Sequence, residues 1–360
     1  MNYHAALAHF PKITYARYKK LAAYFSDLKQ LWDAEIHELI PAGLEESIAH
    51  EFIVWREQNP VEKITERLAQ ENIQTVSLNN PAYPKLLKEI NDPPHTLFIR
   101  GTLLSGTQPS VGVVGTRKMT TYGKQACQEL VSDMVRHDIA IVSGLALGID
   151  GVAHQTAIDG KGITIAVLGS GVNKNNIYPA AHKRLADDII QSGGAVISEY
   201  PPGFSPTQYS FPARNRIIAG LSAGTLVIEA PETSGALITA RCALDYNREV
   251  FCIPHTIYST TGTGPNNLIK QGAHLVQTCQ DILDALQIKT VSTTTPAKLD
   301  FTSNQTEAQI LQCLSKEPTH IDVIIKATGL SSAAINSTLL LLEMNGHIRN
   351  LGGMNFIALR

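Results

Sequence analysis

No stretch of this chain is apolar for long enough to cross a bilayer. The longest apolar runs, Ile163–Leu168 and Leu339–Leu342, fall far below the roughly 20 residues that a membrane helix needs. No basic segment followed by an apolar one opens the sequence, so neither a signal peptide nor a membrane partner is expected. Cysteine is sparse: Cys127, Cys242, Cys252, Cys279 and Cys313 are scattered over 360 residues without a CxxC pair. An odd, unpatterned set of thiols fits a reducing cytoplasm and argues against a disulfide scaffold or structural zinc. A positive excess is also lacking, because the formal net charge is -2. If the chain binds nucleic acid, its cations must be concentrated in one groove.

Two nucleotide signatures are missing as well. Gly123-Lys124 is followed by Gln125, so there is no P-loop. Gly169-x-Gly171 follows an apolar run but lacks the third glycine of a dinucleotide fingerprint, and no cofactor is expected. Asp150 and His154 are spaced i, i+4, yet no third ligand sits at metal-site spacing, so no metal is expected either. A Ser234–His154–Asp150 triad has no G-x-S-x-G elbow to support it. The pattern predicts no catalytic residue and no enzyme.

What is present is a clear division of the chain. Residues 1–72 carry apolar side chains at helical spacing, through Tyr18, Leu21, Ala22, Phe25 and on to Leu28, Leu31 and Trp32. A turn-rich stretch from Asn79 to Pro94 leads into the next segment. From Val111 onward, short apolar runs alternate with helix-length segments. The runs are Val111–Val114, Ile139–Val142, Ile163–Leu168, Ala195–Ser198, Thr225–Ile228 and Val250–Ile253. Continuous apolar strands separated by helices predict a mostly parallel sheet covered on both faces, with ligands at the carboxyl ends of the strands. This α/β region is expected to span residues 73–288. The low-complexity stretch at 289–303 reads as a linker. Residues 304–360 read as a winged helix: helices at Thr306–Leu314, Ile321–Ala327 and Ser331–Met344, then strands at His347–Leu351 and Asn355–Leu359.

Several strand-to-helix junctions carry anion-binding chemistry. Gly115-Thr116-Arg117 follows the first strand and precedes a helix near Gly123, a place where backbone N–H groups and a guanidinium suit a phosphate. Ser143 and Gly144 open the run Ser143-Gly144-Leu145-Ala146-Leu147-Gly148-Ile149-Asp150, whose small residues permit a tight turn. Lys174, Lys183 and Arg184 add charge after the next strand. Phe211-Pro212-Ala213-Arg214-Asn215-Arg216 sets two arginines about an asparagine, read as the start of a helix. Tyr209 and Phe211 just before them supply aromatic faces of the kind that stack on unpaired bases. The expected DNA-binding set is therefore Gly115, Thr116, Arg117, Ser143, Gly144, Lys174, Lys183, Phe211, Arg214, Asn215 and Arg216.

These motifs, taken in order, resemble the DNA-processing protein A (DprA/Smf) family over roughly residues 75–285. The residues that carry the resemblance are SGLALGID with His154, Tyr178-Pro179, SEYPPG from Ser198, FPARNRIIAGL from Phe211 and SGALITA from Ser234. The resemblance implies an extended Rossmann-like domain flanked by a helical, SAM-like N-terminal module and a C-terminal winged helix. It implies a cytoplasmic homodimer, joined near Ala273–Leu286, that binds single-stranded DNA, protects incoming strands and loads RecA recombinase in natural transformation. Gly115-Thr116-Arg117 stands where the family carries glycine-serine-arginine, and threonine keeps the hydroxyl. The third C-terminal helix holds no Lys or Arg, so the winged helix reads as a protein-contact or regulatory unit rather than a DNA reader. Two alternatives are a LOG-like nucleotide phosphoribohydrolase using Glu229 and a nucleotide-sensing winged-helix regulator.

Overall fold

The structure is a computed structural model that describes residues 1–103, 108–288, 305–315, 317–344 and 346–358. Its contacts divide the chain into two compact units, residues 1–290 and 291–360. The expected linker at 289–303 lies outside the described residues, as does Leu359 of the last expected strand.

The first unit opens with six helices: α1 (Tyr3–His9), α2 (Tyr15–Tyr24), α3 (Leu28–Asp33), α4 (Ile36–Leu39), α5 (Glu46–Gln58) and α6 (Val61–Gln70). Asn2, Thr14 and Asp27 start three of them by accepting a backbone N–H with their side chains. Next come β1 (Gln74–Ser77), α7 (Lys85–Lys88), β2 (Thr96–Gly101), β3 (Ser110–Val114), α8 (Thr121–Arg136), β4 (Ala140–Ser143) and α9 (Ile149–Asp159). The unit continues with β5 (Thr164–Val167), α10 (Lys183–Gln191), β6 (Ala195–Ser198), α11 (Ser210–Leu221), β7 (Gly224–Val227) and α12 (Ala236–Asp245). It closes with β8 (Glu249–Cys252), α13 (Thr263–Lys270), β9 (His274–Leu275) and α14 (Cys279–Ala285).

The strands form one nine-stranded sheet in the order β1-β2-β6-β5-β4-β3-β7-β8-β9. From β6 to β9 every pairing is parallel, as the continuous apolar runs predict. Two antiparallel strands extend the sheet beyond β6. The strands alternate their faces. Val111 and Val113 pack with α8, α9 and α14 residues, and Val114 packs with α11 and α12 residues. Chain order reverses between β3 and β7, which leaves a crevice at their carboxyl ends, the usual ligand position in such sheets.

The N-terminal helices share a core with the sheet. Leu7, Leu21, Leu31 and Phe52 belong to the same buried cluster as Phe98, Ala166, Leu168 and Val196. β1 pairs with β2, and β2 in turn contacts α1 and pairs with β6, which ties the helices to the sheet.

The second unit contains α15 (Gln305–Gln312), β10 (Thr319–His320), α16 (Ile321–Thr328), α17 (Ser332–Met344), β11 (Ile348–Gly352) and β12 (Asn355–Ala358). Its three strands pair as β10-β12-β11 around Ile310, Ile324, Ile335, Leu339 and Phe356. Among the described residues, no single helix is long and apolar enough to cross a membrane.

Candidate nucleic-acid interface

The crevice at the β3/β7 switch is a groove of about 900 Å³. The turn after β3 supplies Gly115, Thr116, Arg117 and Lys118, and the segment before α11 supplies Thr207 and Gln208. Helix α11 adds Phe211, Arg214 and Asn215, and the loop into α12 adds Ser234 and Gly235. Helical spacing explains the α11 set, since residues 211, 214 and 215 lie on one face.

Arg117 and Lys118 are exposed, and neither makes an ion pair among the described residues. The Arg117 guanidinium carbon lies 5.8 Å from the centroid of the Phe211 ring, a cation–π arrangement. Tyr178 stands beside it, its ring centroid 5.3 Å from that of Phe211. Thr116 is nearly buried; its N–H donates to the Glu229 carbonyl at 2.6 Å, and its hydroxyl accepts from the Lys118 N–H. The β3 turn is thereby held by backbone bonds while its two cations stay free.

The groove floor is ionic. Arg214 is buried and donates to the carbonyls of Gly144 and Val167. Asp150, also buried, accepts from the backbone N–H groups of Gly144 at 3.2 Å and Ala146 at 3.3 Å. Burial raises the Asp150 pKa, opposed by the charge of Arg214 and by these amides. Burial likewise lowers Arg214, to about 10, with Asp150 opposing the shift and the neighbouring charge of Arg117 adding to it. Asn215 bridges two helices, accepting from Arg214 Nε at 3.1 Å and donating to the Gly235 carbonyl at 3.1 Å.

The structure separates the expected set into groups. Gly115, Thr116, Arg117, Phe211, Arg214 and Asn215 line one groove. Ser143 and Gly144 lie beneath it: the Ser143 hydroxyl donates to the Val113 carbonyl at 2.6 Å, and Gly144 accepts from Arg214. Lys174 lies outside the groove and pairs with Asp187 at 3.2 Å. Lys183 begins α10 and does not line the groove. Arg216 also lies outside it. Its guanidinium pairs with Glu199 at 2.6 Å and Asp92 at 3.0 Å, and its side chain is 16% exposed. The two arginines were expected at a helix start, but α11 begins at Ser210, so they sit within the helix and point different ways.

A second correction concerns the start of α8, read from sequence as an open anion site. Glu229 already occupies it. Its carboxylate accepts from the Thr120 N–H at 2.8 Å, the Thr120 hydroxyl at 2.6 Å and the Thr261 hydroxyl at 3.0 Å. An intramolecular carboxylate stands where a bound phosphate would stand in a dinucleotide fold. Both Glu229 oxygens are thus engaged in holding loops, which removes support from the hydrolase alternative. The imagined triad is not assembled either. His154 is fully buried and bonds Thr164 at 2.7 Å, and Ser234 accepts from the Ala236 N–H. Among the described residues, no group of three or more His, Cys, Asp or Glu could hold a metal.

Sequence reasoning missed Lys118, the clamp formed by Asp150 and the cap formed by Glu229. Lys118 was legible as the neighbour of Arg117. Glu229 depends on Thr120, 109 residues away in sequence, and the Asp150 clamp joins two nearby amides to the distant charge of Arg214, a set that no local pattern shows.

The fold and this groove define a Rossmann-like α/β domain with an open groove at strand carboxyl ends. A family model described as DNA recombination-mediator protein A matches residues 74–287, and one described as the DprA winged helix domain matches residues 294–354. The chain belongs to the DNA-processing protein A (DprA/Smf) family. It is 38% identical over 299 residues to Protein Smf of Escherichia coli, covering 81% of this chain and 79% of that one. It is 35% identical to Protein Smf of Synechocystis, covering 94% of each. Among solved structures, DNA processing protein A of Streptococcus pneumoniae matches with a TM-score of 0.67 and 34% identity, over 79% of this chain and 97% of that one. The Helicobacter pylori protein, described by its single-stranded DNA binding mode, matches with a TM-score of 0.53 and 31% identity, over 60% and 95%.

Proposed function

We propose that this chain binds single-stranded DNA in the β3/β7 groove and performs no chemistry on it. The observation that carries this reading is the pairing of two uncompensated cations, Arg117 and Lys118, with the Phe211 ring in one open crevice. Free cations suit a phosphate backbone, and an aromatic face suits an unstacked base. The likeness to the Helicobacter pylori protein supports the same ligand. The groove ligands are Arg117, Lys118, Thr116, Asn215 and Phe211, with the Arg214 charge beneath them. The further role is to protect incoming strands in the cytoplasm and pass them, as a homodimer, to a RecA-type recombinase.

Anisotropy of labelled oligo-dT across salt tests the first part. Two phosphate contacts, from Arg117 and Lys118, give a slope of log affinity against log salt of about -1.4. Arg117→Ala weakens binding and makes the slope shallower by about 0.7. Binding indifferent to salt, or equally tight on duplex, would end this reading. Nucleation of recombinase on strands already coated with a single-strand-binding protein tests the hand-over, and an unchanged lag removes it. Sedimentation at micromolar concentration tests the dimer.

A further inference from the structure

Arg214 is the most deeply buried cation of the groove, and two of its three guanidinium nitrogens are committed to the protein. Nη1 serves the carbonyls of Gly144, at 2.5 Å, and of Val167; Nε serves Asn215 Oδ1 at 3.1 Å. The two carbonyls stand at the carboxyl ends of the adjacent strands β4 and β5. Left unpaired, such oxygens would be costly and would turn negative dipoles toward a phosphate.

The same loop is gripped from its other side. Asp150 accepts the N–H of Gly144, whose carbonyl Arg214 holds, and the N–H of Ala146 as well. Between these two residues, Leu145 takes a left-handed backbone with φ of 58°, a conformation that a side-chain-bearing residue keeps only when its surroundings force it. Gly144 allows the clamp, because a Cβ there would lie 2.5 Å from three atoms of the guanidinium at once. At the far end of the loop, Gly148 has φ of 81°, and a Cβ there would meet the Arg117 Cα at 2.8 Å. The Ile149 N–H donates to the Thr116 carbonyl at 3.3 Å. A continuous contact path therefore runs from Arg214 through the Gly144–Gly148 loop to the backbone of Arg117.

We propose that Arg214 is a positioning residue: with Asp150 it clamps the Gly144–Gly148 loop, and that loop sets the backbone from which Arg117 reaches the strand. Its last link rests on the single-strand reading; the clamp itself does not. Arginine is required because one planar fork must serve two carbonyls and a side-chain amide, which a lysine point charge cannot do.

The test compares the full chain with Arg214→Lys, Asp150→Asn and Arg117→Ala. Without DNA, Arg214→Lys speeds amide exchange of residues 144–148 by about tenfold or more, as local opening becomes easier. With oligo-dT, it weakens binding about tenfold while leaving the salt slope unchanged, whereas Arg117→Ala makes the slope shallower by about 0.7. Should Arg214→Lys not fold, Asp150→Asn reads the same clamp from the amide side, with faster loop exchange and no loss of slope. Normal loop protection in Arg214→Lys, together with a slope shallower by about 0.7 in the charge-removing Arg214→Gln, would make Arg214 a phosphate contact and overturn the proposal. Wild-type exchange in both clamp variants would overturn it too. If the wild-type chain does not bind oligo-dT, the single-strand reading fails, and the exchange arm still decides the clamp.

Discussion

Arg214 and Arg216 stand two positions apart and do different work, because two residues along an α-helix turn the side chain about 200°. Arg214 faces the strand ends, and Arg216 faces Glu199 and Asp92 on the far side. A linear reading pairs them as one phosphate grip; helix geometry separates them. Burial raises the Glu199 pKa, and the charge of Arg216 is the main force opposing that rise. Arg216→Ala strands this carboxylate and is expected to cost roughly 3 kcal/mol of stability. The expected outcome is a melting temperature several degrees lower, with the salt slope for oligo-dT unchanged. A shallower slope at an unchanged melting temperature would return Arg216 to the binding surface. Glu229 follows similar logic. Glu229→Ala removes the carboxylate that holds Thr120, the N-cap of α8, and costs about 1–2 kcal/mol, measurable by urea unfolding. Glu229→Gln keeps the size and part of the bonding, so its loss should be smaller. A reversed order of the two variants would argue against the cap.

The elements that sequence reveals are the buried strands of the parallel part of the sheet. Strands β3 to β8 fall on the six apolar runs within a residue or two, because a strand covered on both faces needs unbroken apolar sequence. β1 (Gln-Thr-Val-Ser) and β2 were not legible. β1 is a half-exposed edge strand, and both strands pair antiparallel, with partners fixed by long-range packing rather than local pattern. The helix-to-sheet layer also hides titratable groups. His154 on α9 is lowered to about 3 and His95 beside β2 to about 4, both chiefly by burial. Thr164, His182 and Arg214 face His154, and nothing there favours its cation. The unfolded chain therefore binds these protons first. Stability contributed by the neutral imidazoles is intact above about pH 6.5 and falls as pH drops toward 4, by up to about 1.4 kcal/mol per unit for each. Asp150 and Glu199, raised by burial, act with the opposite sign, since the folded state binds their protons first. Comparing wild type with His95→Gln by urea unfolding at pH 7 and pH 5 isolates one imidazole. The wild type should lose more stability than the variant, and equal losses would contradict the buried neutral state of His95.

At the scale of the whole molecule, a net charge of -2 is compatible with anion binding because charge is placed rather than accumulated. Arg17, Arg67, Arg100, Arg136, Arg216 and Arg248 are neutralised in ion pairs; Arg117 and Lys118 are not. The groove and both exposed cations belong entirely to the unit of residues 1–290. The second unit presents α17, Ser-Ala-Ala-Ile-Asn-Ser-Thr-Leu-Leu-Leu-Leu-Glu-Met, with no basic residue along its length. A winged helix that reads duplex DNA places cations on this helix, because phosphate contacts supply most of the affinity. Here Leu340 and Leu341 are exposed on it instead. The single-strand affinity should therefore reside in the first unit. A chain ending at Ile288 is expected to bind oligo-dT within about threefold of the full chain and with the same salt slope, since every phosphate contact is retained. The second unit alone should show no salt-dependent binding to duplex. If truncation flattens the slope by about 0.7 or more, a phosphate contact lies in residues 289–360, and the assignment of affinity to the β3/β7 groove alone is wrong.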